Sequence, residues 1–141
     1  MQMLCAFFTQ VSDLKPLKGL DNLEILYING TEVSNLEPLK NPKNLQWIFL
    51  DDTKITSLEP LRELKNLKGL NLSRTQISNL VPIRELTNLE RIILTDTPVN
   101  DLEPLKGLTN LKNLSIENCR NITIEQVEDL QKALPELEIR S

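Results

Sequence analysis

A chain of 141 residues, 40% hydrophobic and 26% charged, has the composition of one folded domain with its own core, not of a disordered chain. Its net charge of −4 argues against a general binder of nucleic acid or of anionic membranes, which needs a basic excess. There is no histidine, so the commonest general base and the commonest metal ligand are both missing.

Taken in order, the first element is short and apolar, with Leu4 and Ala6 at alternate positions and Phe7 and Phe8 behind them. It lacks the basic start and the length of an export signal, and no apolar run approaches the roughly 20 residues of a membrane helix. We therefore read the protein as cytoplasmic and expect no membrane insertion. From here a fixed period governs the chain. Proline recurs at 16, 38, 60, 82 and 104, and an Asn-Leu pair begins at 22, 44, 66, 88 and 110, each step being 22 residues. Threonine at 9, 31, 53, 75 and 97 keeps the register until Cys119 takes the next place.

Within one period the apolar positions are Leu23, Leu26, Ile28, Val33, Leu36 and Leu39. That mixed spacing fits neither a helix nor a hairpin array. It fits a coil of short strand, turn, short return segment and turn, and such coils bury their apolar faces only by stacking on one another. The boundaries are a partial repeat over 1–19, full repeats over 20–41, 42–63, 64–85 and 86–107, and a last repeat with its cap over 108–141. In the last unit Thr123 and Gln126 have the spacing of a capping box, and Ile124, Val127, Leu130 and Leu134 recur at helical intervals before Pro135. This predicts a helix near 124–134, then a short strand near Leu137 and Ile139.

These residues resemble the leucine-rich-repeat superfamily, in particular the bacterial 22-residue class of the internalin type, with a cysteine-type last repeat at Asn118-Cys119. The resemblance covers nearly the whole chain. It implies an α/β solenoid: a leucine-rich-repeat arc, single-domain over 1–141, with a parallel concave sheet, short 3₁₀ or irregular convex segments and a C-terminal capping helix. It also implies a recognition scaffold. One departure is the threonine at 31, 53, 75 and 97, where the family usually places asparagine to bond neighbouring backbone. A threonine hydroxyl does part of that job.

No catalytic, cofactor or metal site is expected. Cys5 and Cys119 lie five coils apart, roughly 24 Å at strand spacing, so no disulfide joins them, and Cys119 reads as a buried structural thiol. The cationic column Lys18, Lys40, Arg62, Arg84 and Lys106 is interleaved with Glu37, Glu59, Glu63, Glu85 and Glu103, and reads as solvated weak pairs. Strand alternation gives the more informative pattern. With Leu26 and Ile28 inward, the concave face takes Ile25, Tyr27 and Asn29. Next come Trp47, Phe49 and Asp51, then Gly69, Asn71 and Ser73, then Arg91, Ile93 and Thr95. All five aromatic residues fall at non-core positions. Tyr27, Trp47 and Phe49, with Ile25 and Ile93 and a polar rim of Asp51, Asp52, Arg74, Arg91 and Asp96, are the candidate protein-binding site. Phe7 and Phe8 either extend it or belong to a frayed end. On this reading Trp47→Ala weakens binding and hardly changes melting, while Leu50→Ala does the reverse.

The function classes are then three. A protein-binding module comes first: an intracellular binder or regulator, or alternatively a fragment of a longer secreted or surface internalin-like adhesin. An enzyme is the second class, and a structural or self-assembling module joined through open solenoid ends, such as the N-terminal edge strand, is the third. The partner is expected to be another protein, not a nucleic acid.

Overall fold

The computed structural model describes residues 1–141. Seven strands form a single parallel sheet in chain order: β1 Gln2–Cys5, β2 Leu23–Tyr27, β3 Trp47–Phe49, β4 Gly69–Asn71, β5 Arg91–Ile93, β6 Asn113–Ser115 and β7 Glu138–Arg140. From β2 to β6 the register advances by one repeat per strand, pairing Ile25 with Trp47, Trp47 with Gly69, Gly69 with Arg91 and Arg91 with Asn113. No helix is long and apolar enough to cross a membrane.

Each return segment on the convex side is a 3₁₀ turn carrying the repeat proline in its first positions, as in Glu59–Leu61 and Glu103–Leu105. Proline fits there because its fixed φ suits the turn and its missing N–H has no partner to lose. The residue two before each turn's start, Asp13, Asn35, Ser57, Asn79 or Asp101, accepts a bond from the turn's first N–H through its side chain. These are Asx- and Ser-type turns repeating every coil.

The core is one continuous column of leucine, isoleucine and valine, with Leu26, Ile48, Leu50, Ile92 and Leu94 wholly removed from solvent. Two polar ladders repeat from coil to coil. The buried hydroxyls of Thr31, Thr53, Thr75 and Thr97 each donate to the carbonyl three residues earlier, at 2.6–2.7 Å. The amides of Asn44, Asn66, Asn88 and Asn110 reach back to carbonyls of the preceding coil, those of Asp21, Lys43, Lys65 and Thr87. Threonine thus closes the turn within its own coil, and the repeat asparagine makes the bond between coils. Cys119 is buried, and its thiol donates to the Leu94 carbonyl at 3.0 Å.

A third column explains the strand-to-turn corner. Phe8, Gly30, Asp52, Arg74, Asp96 and Asn118 all have φ between 51° and 66°. Only one of the six is glycine, although a side chain in this region is unfavourable.

The terminal helix α1 is Ile124–Ala133, as the spacing predicts, with Thr123 as its N-cap. Only half of the expected capping box forms. The Thr123 hydroxyl accepts from the Gln126 N–H at 3.2 Å, but the Gln126 side chain turns away and donates to the Asn100 carbonyl. Ile124, expected on the buried face of α1, is 79% exposed, and within the helix Leu130 is the buried residue.

Candidate functional site

The concave face is set by the pleat of β2–β6, whose alternate residues cannot reach the core. Tyr27 ends β2 and Phe49 ends β3 in the same register, which brings their rings into a parallel stack, 4.4 Å between centroids and 6° between planes. Trp47 stands two residues before Phe49 and leans the other way, over β4. A Cβ at Gly69 would collide with Cε3 and Cζ3 of the indole, so the ring fills the side-chain space that glycine leaves. Ile25 and Ile93 are half-buried on the same face.

Two of the residues expected on this face are in fact covered. Gly69 is buried beneath Trp47, and Ser73 is buried with its hydroxyl bonded to the Asn71 Oδ1 at 2.8 Å. Phe7 and Phe8 are exposed and meet edge to face, and Phe8 also lies against Gly30 much as Trp47 lies against Gly69. Phe8 is thus packed on the second coil, although its exposure is 74%.

The polar rim is more self-contained than the sequence implies. Arg74 holds Asp52 through two bonds, Nε to Oδ1 at 2.7 Å and Nη2 to Oδ2 at 2.6 Å. Asp51 accepts from the Asn71 amide at 3.0 Å and lies 3.8 Å from Arg74. The Arg74 bond holds the Asp52 carboxyl below its usual range. Burial pushes Asp51 the other way, above its usual range, with the neighbouring Asp52 charge adding to the effect and a backbone hydrogen bond opposing it. Asp96, exposed in the next coil, adds its charge to the field on Arg74. Arg91 is exposed on β5 beside Ile93.

Sequence reasoning missed Asn71, which orders Asp51, and Arg140, which β7 brings into line with Ile93 through Ser115. Neither is marked by the repeat. Asn71 is one of many polar concave residues, and the register of β7 depends on where α1 ends. On the convex side four of the five cations in the column are paired, Lys40 with Glu37, Arg62 with Glu59, Arg84 with Glu85, and Lys106 with Glu103, while Lys18 meets no carboxylate. Both cysteines are free.

Residues 43–85 match the family model described as Leucine Rich repeats (2 copies). Among solved structures, an internalin C2 from Listeria monocytogenes aligns over 99% of this chain and 60% of its own, at 31% identity and a TM-score of 0.88. A leucine-rich-repeat protein of Leptospira interrogans aligns over 100% of this chain and 37% of its own, at 26% identity and a TM-score of 0.89. An internalin from Listeria monocytogenes, inlF, aligns over 99% of this chain and 47% of its own, at 25% identity and a TM-score of 0.73. The chain therefore spans 60% or less of the length of each. No curated protein matches the sequence.

Proposed function

We propose that this chain, whose fold is that of the internalin-like leucine-rich-repeat proteins, binds another protein across its concave sheet, with Tyr27, Trp47 and Phe49 at the centre. Leucine-rich-repeat proteins are interaction modules and typically not enzymes, but fold alone does not locate a site. The observation that carries the reading is the Tyr27–Phe49 stack, a paired aromatic anchor that is half-exposed on the β2–β3 part of the concave face. Rigid aromatic side chains ringed by polar groups are the usual anchors of protein interfaces. Ile25 and Ile93 widen the apolar floor, and Asp51, Asp52, Arg74, Arg91 and Asp96 form its rim.

The test is affinity capture from the native organism with the wild-type chain and a Tyr27→Ser/Phe49→Ser variant side by side. A partner retained by the first and lost by the second, with both melting cooperatively, agrees with this reading. Equal retention by both contradicts it.

Two settings accommodate such a binder. In the first, a cytoplasmic protein regulates one partner, which suits two free cysteines. In the second, the chain is part of a longer secreted or surface adhesin, which its partial coverage of the internalins favours. The mass of the native protein on an immunoblot separates them. Self-association would run through β1, which bonds to β2 alone and carries exposed Met3. Sedimentation that shows a concentration-dependent dimer, abolished by a polar residue at Met3, is the expected sign; a strict monomer removes the idea.

A further inference from the structure

Arg91 and Arg140 line one shallow concavity at the C-terminal end of the concave sheet, together with Ile93, Asn113, Ser115 and Glu138. The register explains the grouping. Arg91 of β5 aligns with Asn113 of β6 and Glu138 of β7, while Ile93 aligns with Ser115 and Arg140. The two arginines are two strands apart, roughly 10 Å between backbones, and both line the concavity over β6.

The guanidinium groups of Arg62, Arg74 and Arg84 each meet a carboxylate of this chain, whereas those of Arg91, Arg120 and Arg140 meet none, and of these Arg91 and Arg140 share one concavity. The one carboxylate in the concavity, Glu138, is engaged by the Asn113 amide at 2.9 Å. Two arginines and one glutamate leave a single positive charge. Arginine forks match a planar carboxylate, and Ile93 offers an apolar floor for the methylenes that carry one. The concavity is continuous with the aromatic patch, because Trp47 covers Gly69 and Gly69 is the register neighbour of Arg91.

We propose that the Arg91–Arg140 concavity receives a glutamate or aspartate side chain of the same protein partner that covers Tyr27, Trp47 and Phe49. This rests on the concave-face reading and adds a direction to it. The partner lays an apolar surface on β2 and β3 and an acidic residue over β6.

The experiment uses the full chain, labelled for NMR, titrated with N-acetyl-glutamate amide, and separately with its glutamine counterpart. Saturable shifts of the Arg91 and Arg140 Nε–H signals with the glutamate compound only are expected, and Arg140→Gln weakens that binding about tenfold. Arg62→Gln leaves it unchanged. Shifts of equal size at Arg62 and Arg84, equal effects of the two compounds, or no saturation would overturn the site. Capture of the partner keeps the two claims separate. Binding lost in Phe49→Ser but intact in Arg140→Gln removes the carboxylate site and spares the concave-face reading. Binding intact in Phe49→Ser removes the concave-face reading, whatever the small probe does.

Discussion

The indole of Trp47 occupies the space that a side chain at Gly69 would take, one strand further along the sheet. An aromatic residue that covers a glycine on the neighbouring strand stabilises the sheet as well as presenting a surface. Trp47 therefore has a structural duty that strand alternation alone does not reveal. Trp47→Ala is expected to cost about 1–2 kcal/mol, less than the ~3–5 kcal/mol of a fully buried aromatic, because the ring is only half-buried. That cost is larger than the small change in melting implied by strand alternation alone.

Gly69→Ala tests the same relationship from the other side. The added methyl must displace the ring, at a cost of about 1–3 kcal/mol. Trp47 is the single tryptophan, so its emission should shift to the red as the ring is lifted into water. An unchanged melting temperature and an unchanged spectrum would show that the ring does not rest there.

Leu50→Ala, inward and wholly buried, should lose about 2–5 kcal/mol by leaving a cavity. Denaturant unfolding measures this, and the surviving folded fraction should bind its partner with unaltered affinity.

Thr75→Val keeps the volume of the side chain and removes the hydroxyl that bonds the Leu72 carbonyl at 2.6 Å. An expected loss of about 1–2 kcal/mol follows from leaving a buried acceptor without that partner. A neutral result would mean that the carbonyl is satisfied by the chain in some other way.

The neighbouring carboxylates Asp51 and Asp52 respond to acid with opposite signs. The folded-state value of Asp52 is lowered by Arg74, so its contribution is present above the ordinary carboxylate range, about pH 4, and is lost as pH falls through the lowered value. Asp51 is raised by burial, so the fold disfavours its charged form, and that penalty is relieved as pH falls through the raised value. Asp52→Asn should lower stability at neutral pH and flatten the acid limb. Asp51→Asn should raise stability at neutral pH, since an asparagine oxygen still accepts from Asn71. The Asp52 effect should stay below about 1 kcal/mol, because its pair with Arg74 is open to solvent screening. Urea unfolding across pH 2–7 reads the two slopes, and parallel slopes would contradict the assignment.

The solenoid was legible because a 22-residue step repeats in proline, asparagine, threonine and leucine together, and stacking leaves each of these a fixed role. The concave position of Tyr27, Trp47 and Phe49 followed from strand alternation. Contacts that cross between coils were not legible. The lean of Trp47 over Gly69, the hold of Arg74 on Asp52 and the burial of Ser73 depend on side-chain direction, which the repeat does not encode. The division of labour between the threonine and asparagine ladders was half visible, since both residues repeat but only coordinates show which bond each makes. The exposure of Ile124 was not legible either, because helical spacing alone does not say which turn of α1 meets the core.

Phe49→Ala tests most directly whether a partner protein sits on the Tyr27–Phe49 stack. With the captured partner in hand, calorimetric titration should show affinity falling about thirtyfold or more, the ~2 kcal/mol of a central aromatic anchor. The convex variant Arg62→Ala, which breaks only the exposed pair with Glu59, should bind as the wild type does. If Phe49→Ala remains folded and binds with unchanged affinity, or if Arg62→Ala is the variant that fails, the partner does not use the concave face.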